Sequence, residues 1–353
     1  VATPYYEPLG GSESAICYLM RQLVRRGHDV TLAANLLDGA GGTIDGVAHH
    51  PVDIIRDTTF FYTEKFDTIV VINAPAVCAP VKALSPASRM VFWAHALPDQ
   101  TAMQALARNE SGDHARAAID LAVFVSAWQR AEIERAFGAF KAAAVIGNGI
   151  APSFENMFAS PEDILRAKQD RAAYTATPYR GLSVLVRAME GLERDTRLDV
   201  FSSMRVYQSG DGDYAPLFEQ ARLNPAIALH GSVTQGELAQ HLTGCAYLFY
   251  PSIFAETFCI TAAEAMAAGM QIVATQVGAL PETTMGAAAL VPVMSSDGHT
   301  LVQDYRVAMR AQIDAFAADR QAWAERMYEQ SRRASHMFNW SARADEWIRA
   351  LGL

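Results

Sequence analysis

Tyr250-Pro-Ser-Ile-Phe-Ala-Glu256-Thr-Phe-Cys-Ile-Thr-Ala-Ala-Glu264-Ala-Met-Ala-Ala-Gly269 is the stretch from which the rest of the chain can be read. Ahead of it, Cys245 to Tyr250 is an unbroken apolar run, the pattern of a strand buried on both faces of a parallel sheet. Behind it, Gln271 to Thr275 is a second short run of the same kind. Between them, Thr257 to Ala268 is rich in Ala, Met and Glu, which predicts a helix that Gly269 stops. Strand, loop, helix, strand is a βαβ unit with a right-handed crossover. Its ligand end lies past the strand's C-terminus, where Glu256 falls.

The two carboxylates stand apart from an ordinary helix surface. Glu256 precedes the predicted helix, beside first-turn N–H groups that attract an anion. Glu264 follows two turns in, on the order of 10 Å along the axis at ~1.5 Å per residue. A ligand with phosphates at the helix start could reach one carboxylate with each end, the carboxylates accepting hydrogen bonds from sugar hydroxyls. The plain alternative makes Glu256 a dipole partner and Glu264 a solvated residue. Against it, Ala262, Ala263, Ala265, Ala267 and Ala268 predict a helix packed on most sides, where an unpartnered charge is costly.

Glu256-x7-Glu264, inside Pro-Ser-x3-Glu-x-Phe-x-Ile-x3-Glu-Ala-Met-Ala-x-Gly and followed by Gly278-Ala-Leu-Pro-Glu282, resembles the signature of family-4 retaining glycosyltransferases. The resemblance covers nearly the whole chain. It implies a GT-B fold, two Rossmann-like α/β domains facing each other across a cleft, with a C-terminal helix packing back on the N-terminal domain. It implies that Glu256 contacts the donor sugar, that Glu264 contacts the nucleotide ribose, and that the backbone near Phe258, Cys259 and Ile260 meets phosphate. Cys259 stands where the family has Gly.

Composition bounds the function class. The 353 residues suggest two domains, and 51% hydrophobic with 19% charged residues is an ordinary globular balance. A net charge of −9 argues against a nucleic-acid partner. Residues 1–150 hold 12 Lys+Arg and 15 Asp+Glu, so that half offers no basic membrane-docking face either. Cys17, Cys78, Cys245 and Cys259 are scattered and read as buried thiols in a reducing compartment. No apolar stretch reaches the ~18 residues of a membrane span. The expectation is a cytoplasmic protein, with peripheral membrane attachment as the second option. Val1-Ala-Thr reads as the tail of a strand already under way.

Along the chain, Pro4 to Gly11 is a loop ending in Gly10-Gly11, and Ser12 to Arg26 has helical periodicity. Pro8-Leu-Gly-Gly-Ser-Glu13 resembles the family's first βα loop, which faces the donor phosphate and sugar. Asp38 to Gly46 reads as a Gly-rich surface loop. Strands follow near 46–52, 68–73 and 89–93, the last running into His95, just past a strand end where open α/β sheets bind ligands. Together with the family habit of a His there, this makes His95 a candidate to hydrogen-bond the sugar or stabilise developing charge. Residues 1–150 form the predicted N-terminal, acceptor-side domain and 151–168 a linker. Residues 169–335 form the predicted nucleotide-sugar domain and 336–353 the terminal helix.

In the second domain, Thr177-Pro-Tyr-Arg180-Gly181 follows a strand at Ala172–Thr175. The family resemblance implies two cations on the donor diphosphate. Arg180 is one, and Thr175 stands in the place of the other, with Thr177 and backbone amides sharing the hold. His230-Gly-Ser232-Val233 resembles the base-reading loop. Asp211-Gly-Asp213 is formally Asp-x-Asp but reads as a polar turn, so no metal is expected.

The resulting expectation is a metal-independent retaining hexosyltransferase. Its catalytic candidates are Glu256, His95 and Arg180. Its donor-binding candidates are Gly10, Gly11, Thr177, Ser232, Phe258, Cys259, Ile260 and Glu264. No cofactor is expected beyond a nucleoside diphosphate sugar as donor, UDP or GDP first, with a carbohydrate, lipid-linked or small-molecule acceptor. Two rivals share the fold: a sugar-nucleotide epimerase or phosphorylase-like enzyme, and a catalytically silent sugar-nucleotide-binding subunit.

Overall fold

The computed structural model describes residues 1–36, 41–293 and 298–353. The opening of the predicted Gly-rich loop, including Asp38, lies outside them. The described chain divides into two compact units. One comprises Val1–Ala2, Ile16–Asn148 and Arg343–Leu353, and the other Thr3–Ala15 and Gly149–Ala342.

The first unit holds two sheets. β1 (Val30–Ala34), β2 (Gly42–Ile44) and β3 (Val47–Pro51) run in the order β1-β3-β2, with β1 parallel and β2 antiparallel to β3. Asp45 and Gly46, both at positive φ (51° and 79°), make the tight turn between β2 and β3. The predicted surface loop therefore ends in a hairpin, because two residues that tolerate the left-handed region sit together there. β4 (Thr68–Ile72), β5 (Arg89–Ala94), β6 (Leu121–Phe124) and β7 (Ala143–Val145) form an all-parallel sheet in sequence order. Its core is apolar, with Met90, Phe92, Ala122 and Phe124 fully buried. Trp93 meets Trp347 edge-on at 4.8 Å, and Arg89 Nη1 donates to the carbonyls of Ala350 (2.9 Å) and Leu351 (2.6 Å). These contacts tie residues 343–353 into the unit.

The second unit is a six-stranded, all-parallel sheet. Its strands are β8 (Gln169–Tyr174), β9 (Arg197–Val200), β10 (Ile227–Leu229), β11 (Cys245–Tyr250), β12 (Gln271–Thr275) and β13 (Ala288–Val291). The spatial order is β10-β9-β8-β11-β12-β13. The chain steps outward from β8 to β10, then returns to pair β11 against the other edge of β8. This reversal creates a crevice past the C-terminal ends of β8 and β11, the place where doubly wound sheets bind ligands. Every residue of β11 is buried, as its unbroken apolar run requires.

Several expectations shift. Residues 1–2 make no strand, and Thr3–Tyr5 is a single 3-10 turn, since so short a segment forms no ladder. The helix predicted from Thr257 begins at Ile260 and ends at Ala267, because Cys259 takes a left-handed conformation (φ 79°) that helix geometry does not allow. The predicted linker is partly folded, with Ser160 capping a helix over Pro161–Ala167 by accepting from Asp163 N–H. After that helix, Lys168 is 1% exposed. Its ammonium donates to three carbonyls, Leu242 (2.9 Å), Cys245 (2.8 Å) and Ala268 (2.6 Å). The three N–H donors of the ammonium thus meet three acceptors, although burial pulls its pKa down.

Candidate functional site

The crevice predicted by the sheet order is built from two loops. Past β8 comes Thr175 to Gly181, and past β11 comes Pro251 to Cys259. Gly181 brings them together. At φ 92°, its backbone lies so near Pro251 that an added Cβ would sit 1.9 Å from the Pro251 carbonyl oxygen. Tyr174 and Tyr250, the last residues of the two strands, are buried and stack at 6.1 Å and 25° beneath the loops.

Arg180 and Glu256 meet directly there as a salt bridge, with side-chain exposures of 17% and 7%. Glu256 Oε1 also accepts from the Tyr250 hydroxyl at 2.8 Å and the Ser252 hydroxyl at 3.3 Å. Its backbone is fixed separately: the Glu256 carbonyl accepts from Ala279 N–H at 2.7 Å. Gly278, at φ 58°, lies so close that a Cβ there would stand 2.4 Å from that carbonyl oxygen. This supplies the physical reason for Gly278-Ala279 to follow the acidic loop. The guanidinium of Arg180 lies over the rings of Phe254 (4.6 Å) and Tyr179 (5.4 Å). Tyr250 and Glu256 hold its pKa above the usual arginine value against the opposing effect of burial.

Glu264, on the helix Ile260–Ala267, is 4% exposed and surrounded by buried alanines. Its Oε1 receives the Ala151 N–H at a long 3.4 Å. Burial pushes its pKa up to about 8. The folded state therefore holds this proton more tightly than the unfolded chain, and the resulting stabilisation is complete below pH 4.5 and lost as pH rises through about 8. Wild-type protein should lose melting temperature between pH 5 and 8 with a component near 1.4 kcal/mol per pH unit. Glu264→Gln should remove that component, and parallel melting curves for the two proteins over this range would contradict the assignment.

The other predicted residues divide clearly. Gly10 and Gly11 group with the second unit: a Cβ on Gly11 would be 3.1 Å from Ile260 Cδ1, and one on Gly10 3.1 Å from the Tyr207 ring. Thr177 is 5% exposed, and its hydroxyl is a buried group without a hydrogen-bond partner, while its carbonyl accepts from the Tyr174 hydroxyl at 2.8 Å. Cys259, with its thiol buried and its pKa raised by that burial, precedes Ile260 at the helix start. Its left-handed backbone, and not only a close approach, is what a glycine there would relieve. Phe258 packs edge-on against Phe338 at 5.8 Å, and its carbonyl accepts from the Thr283 hydroxyl. Ser232 lies in the turn after β10, an edge strand separated from β8 by β9. Asp211 accepts from Ser203 Oγ (2.8 Å) and Met204 N–H (2.6 Å), the work of a polar turn.

His95 belongs to the first unit. Its N–H donates to Asn73 Oδ1 at 2.7 Å and its ring lies 4.6 Å from Trp93. Its Nε2 is buried without a partner, and burial pushes its pKa well down, so the ring is neutral near pH 7. A neutral imidazole hydrogen-bonds but carries no charge to offset a developing anion.

Tyr179, Tyr207, Tyr250, Ser252 and Phe254 are site neighbours that sequence reasoning did not single out. Tyr250 and Ser252 stood inside the quoted motif, while Tyr207 carries no periodic or spacing signal.

A family model described as Glycosyl transferases group 1 matches residues 172–304. Among solved structures, sucrose-phosphate synthase from Thermosynechococcus elongatus is similar at 18% identity and TM-score 0.74, covering 99% of this chain and 96% of that one. Anabaena Alr3699/HepE in complex with UDP-glucose is similar at 16% identity and TM-score 0.73, covering 97% and 96%. A glycosyltransferase from Rickettsia africae follows at 15% identity and TM-score 0.70, covering 97% and 94%. No curated protein sequence matches the chain. The structural likenesses establish the GT-B fold. Among the described residues, no helix is long and apolar enough to cross a membrane.

Proposed function

We propose that this GT-B protein is a retaining glycosyltransferase, moving a hexose from a nucleoside diphosphate sugar to an acceptor without a metal. The observation that carries the proposal is the buried Arg180–Glu256 pair at the switch point between β8 and β11. A buried ion pair seldom stabilises a fold more than apolar residues of the same volume. Its presence in a ligand crevice is better accounted for by chemistry. Arg180 offers a planar fork of donors to the donor diphosphate and neutralises the charge that grows on it as the glycosidic bond breaks. With three donors converging on Glu256 Oε1, Oε2 is the atom we assign to the sugar hydroxyls. Backbone near Phe258 to Ile260 would face the phosphates, Glu264 the ribose, and Ser232 the base. His95, as a neutral imidazole, would hydrogen-bond the sugar.

One further reading keeps a specific support. Thr175, in place of a cation, fits a subunit that binds sugar nucleotides without turning them over. Thermal-shift screening against UDP, GDP and ADP sugars, followed by nucleotide-release assays, separates the two. A donor at 100 times its Kd should add about 2.7 kcal/mol of stability. Nucleotide should then appear only when an acceptor is supplied, with EDTA present and with the anomeric configuration kept. Binding without turnover across carbohydrate, lipid-linked and small-molecule acceptors would favour the silent subunit, and no binding at all would reject both.

A further inference from the structure

We infer that Tyr207 is a donor-binding residue, its hydroxyl acting with that of Tyr179 to complete the hold on the diphosphate that Thr175, being uncharged, cannot supply. This inference rests on the sugar-nucleotide reading above and names groups that the reading did not include. Tyr207 ends a 3-10 turn, Met204–Tyr207, in the loop past β9. That loop is pinned: the Asp211 carboxylate holds Ser203 and Met204, and Gln208 turns the chain in a left-handed conformation. The Tyr207 ring lies against Gly10, where a Cβ would stand 3.1 Å from Cε1. Cε1 is the ring atom next to the one that carries the hydroxyl, and the electrostatic neighbours of that hydroxyl are Tyr179 and Arg180, whose guanidinium lies over the Tyr179 ring. Tyr207 is 45% exposed, so the ring that packs on Gly10 is still open to a ligand.

The neighbouring chemistry is consistent with neutral donors in place of charge. Thr175 is held by its carbonyl, which accepts from Thr261 Oγ1 at 2.8 Å. Two residues on, the Thr177 hydroxyl is buried and unpartnered, one more neutral group awaiting a polar contact in the same loop. Hydroxyl donors give direction and charge-assisted bonds to phosphate but no counter-charge. A grip built this way should therefore depend less on ionic strength than one built from two cations.

The test compares wild type, Tyr207→Phe, and Tyr207→Phe combined with Thr175→Arg, by calorimetry with UDP, GDP, ADP and the nucleosides uridine, guanosine and adenosine. Phe keeps the ring and its packing on Gly10. The expected result is a roughly tenfold or greater loss of diphosphate affinity in Tyr207→Phe, the size of a hydrogen bond to a charged group, with nucleoside affinity unchanged. Donor KM should rise with kcat within about threefold, and Thr175→Arg should recover the diphosphate affinity while steepening its salt dependence. No loss, or an equal loss for nucleosides and diphosphates, would overturn the inference while leaving the transferase reading intact. A wild-type protein that binds none of the six would remove that reading, and this inference with it.

Discussion

Glu256→Gln should lower sugar transfer by about 10²–10³-fold, with a smaller change in donor affinity, because the lost charge matters most where the transition state develops its own. Arg180→Met should cost a comparable factor. Stability supplies a second, independent reading. Each single substitution leaves the partner's charge buried and unpaired, at a cost of about 3–5 kcal/mol, whereas the double variant removes both charges together. The double variant should therefore be less destabilised than the sum of the singles, and the coupling in this cycle measures the pair itself. Transfer rates within a few-fold of wild type for both singles would defeat the functional assignment. Strict additivity would instead mean that the Arg180–Glu256 contact is not energetically formed.

Lys168→Met should unfold the second unit at a much lower temperature without touching the crevice. The substitution takes the ammonium donor away from three buried carbonyls, those of Leu242, Cys245 and Ala268, of which Leu242 keeps the Cys245 N–H. At about 1–3 kcal/mol for each of the other two, the loss is roughly 2–6 kcal/mol. In a unit of this size, that corresponds to a fall of about 10–15 °C in Tm. At a temperature where the variant is still folded, donor KM should match wild type. A Tm within 3 °C of wild type would show that the ammonium contributes little to holding these ends together.

Both predictions turn on features of unequal legibility. The strands Cys245–Tyr250 and Gln271–Thr275 stand where their apolar runs placed them, and Glu256 lies past the first of them, at the ligand end. An apolar run of that length has few alternatives to a buried strand. The helix start was less legible: Ala, Met and Glu pointed to Thr257, but the left-handed backbone at Cys259 delays it to Ile260. A side chain's propensity does not report the φ that packing imposes on it. Lys168 closed the predicted linker, with nothing local to mark it as buried in a residue type that seldom is, and only the convergence of the Leu242, Cys245 and Ala268 carbonyls makes its burial possible.

The sequence by itself determined the periodicities: which runs are buried strands, which stretch is the Ala-rich helix, and that two glutamates flank its beginning and middle. Those properties are local, set by side-chain hydrophobicity and backbone preference over a few residues. The tertiary structure alone decided which distant groups meet. Arg180 lies 76 residues from Glu256, and Tyr207 belongs to a different loop from either. The meeting of Arg180 and Glu256 depends on β11 returning to pair with β8, and the place of Tyr207 on β9 pairing with the other edge of β8, choices made by the packing of the whole sheet and written in no single segment of the chain.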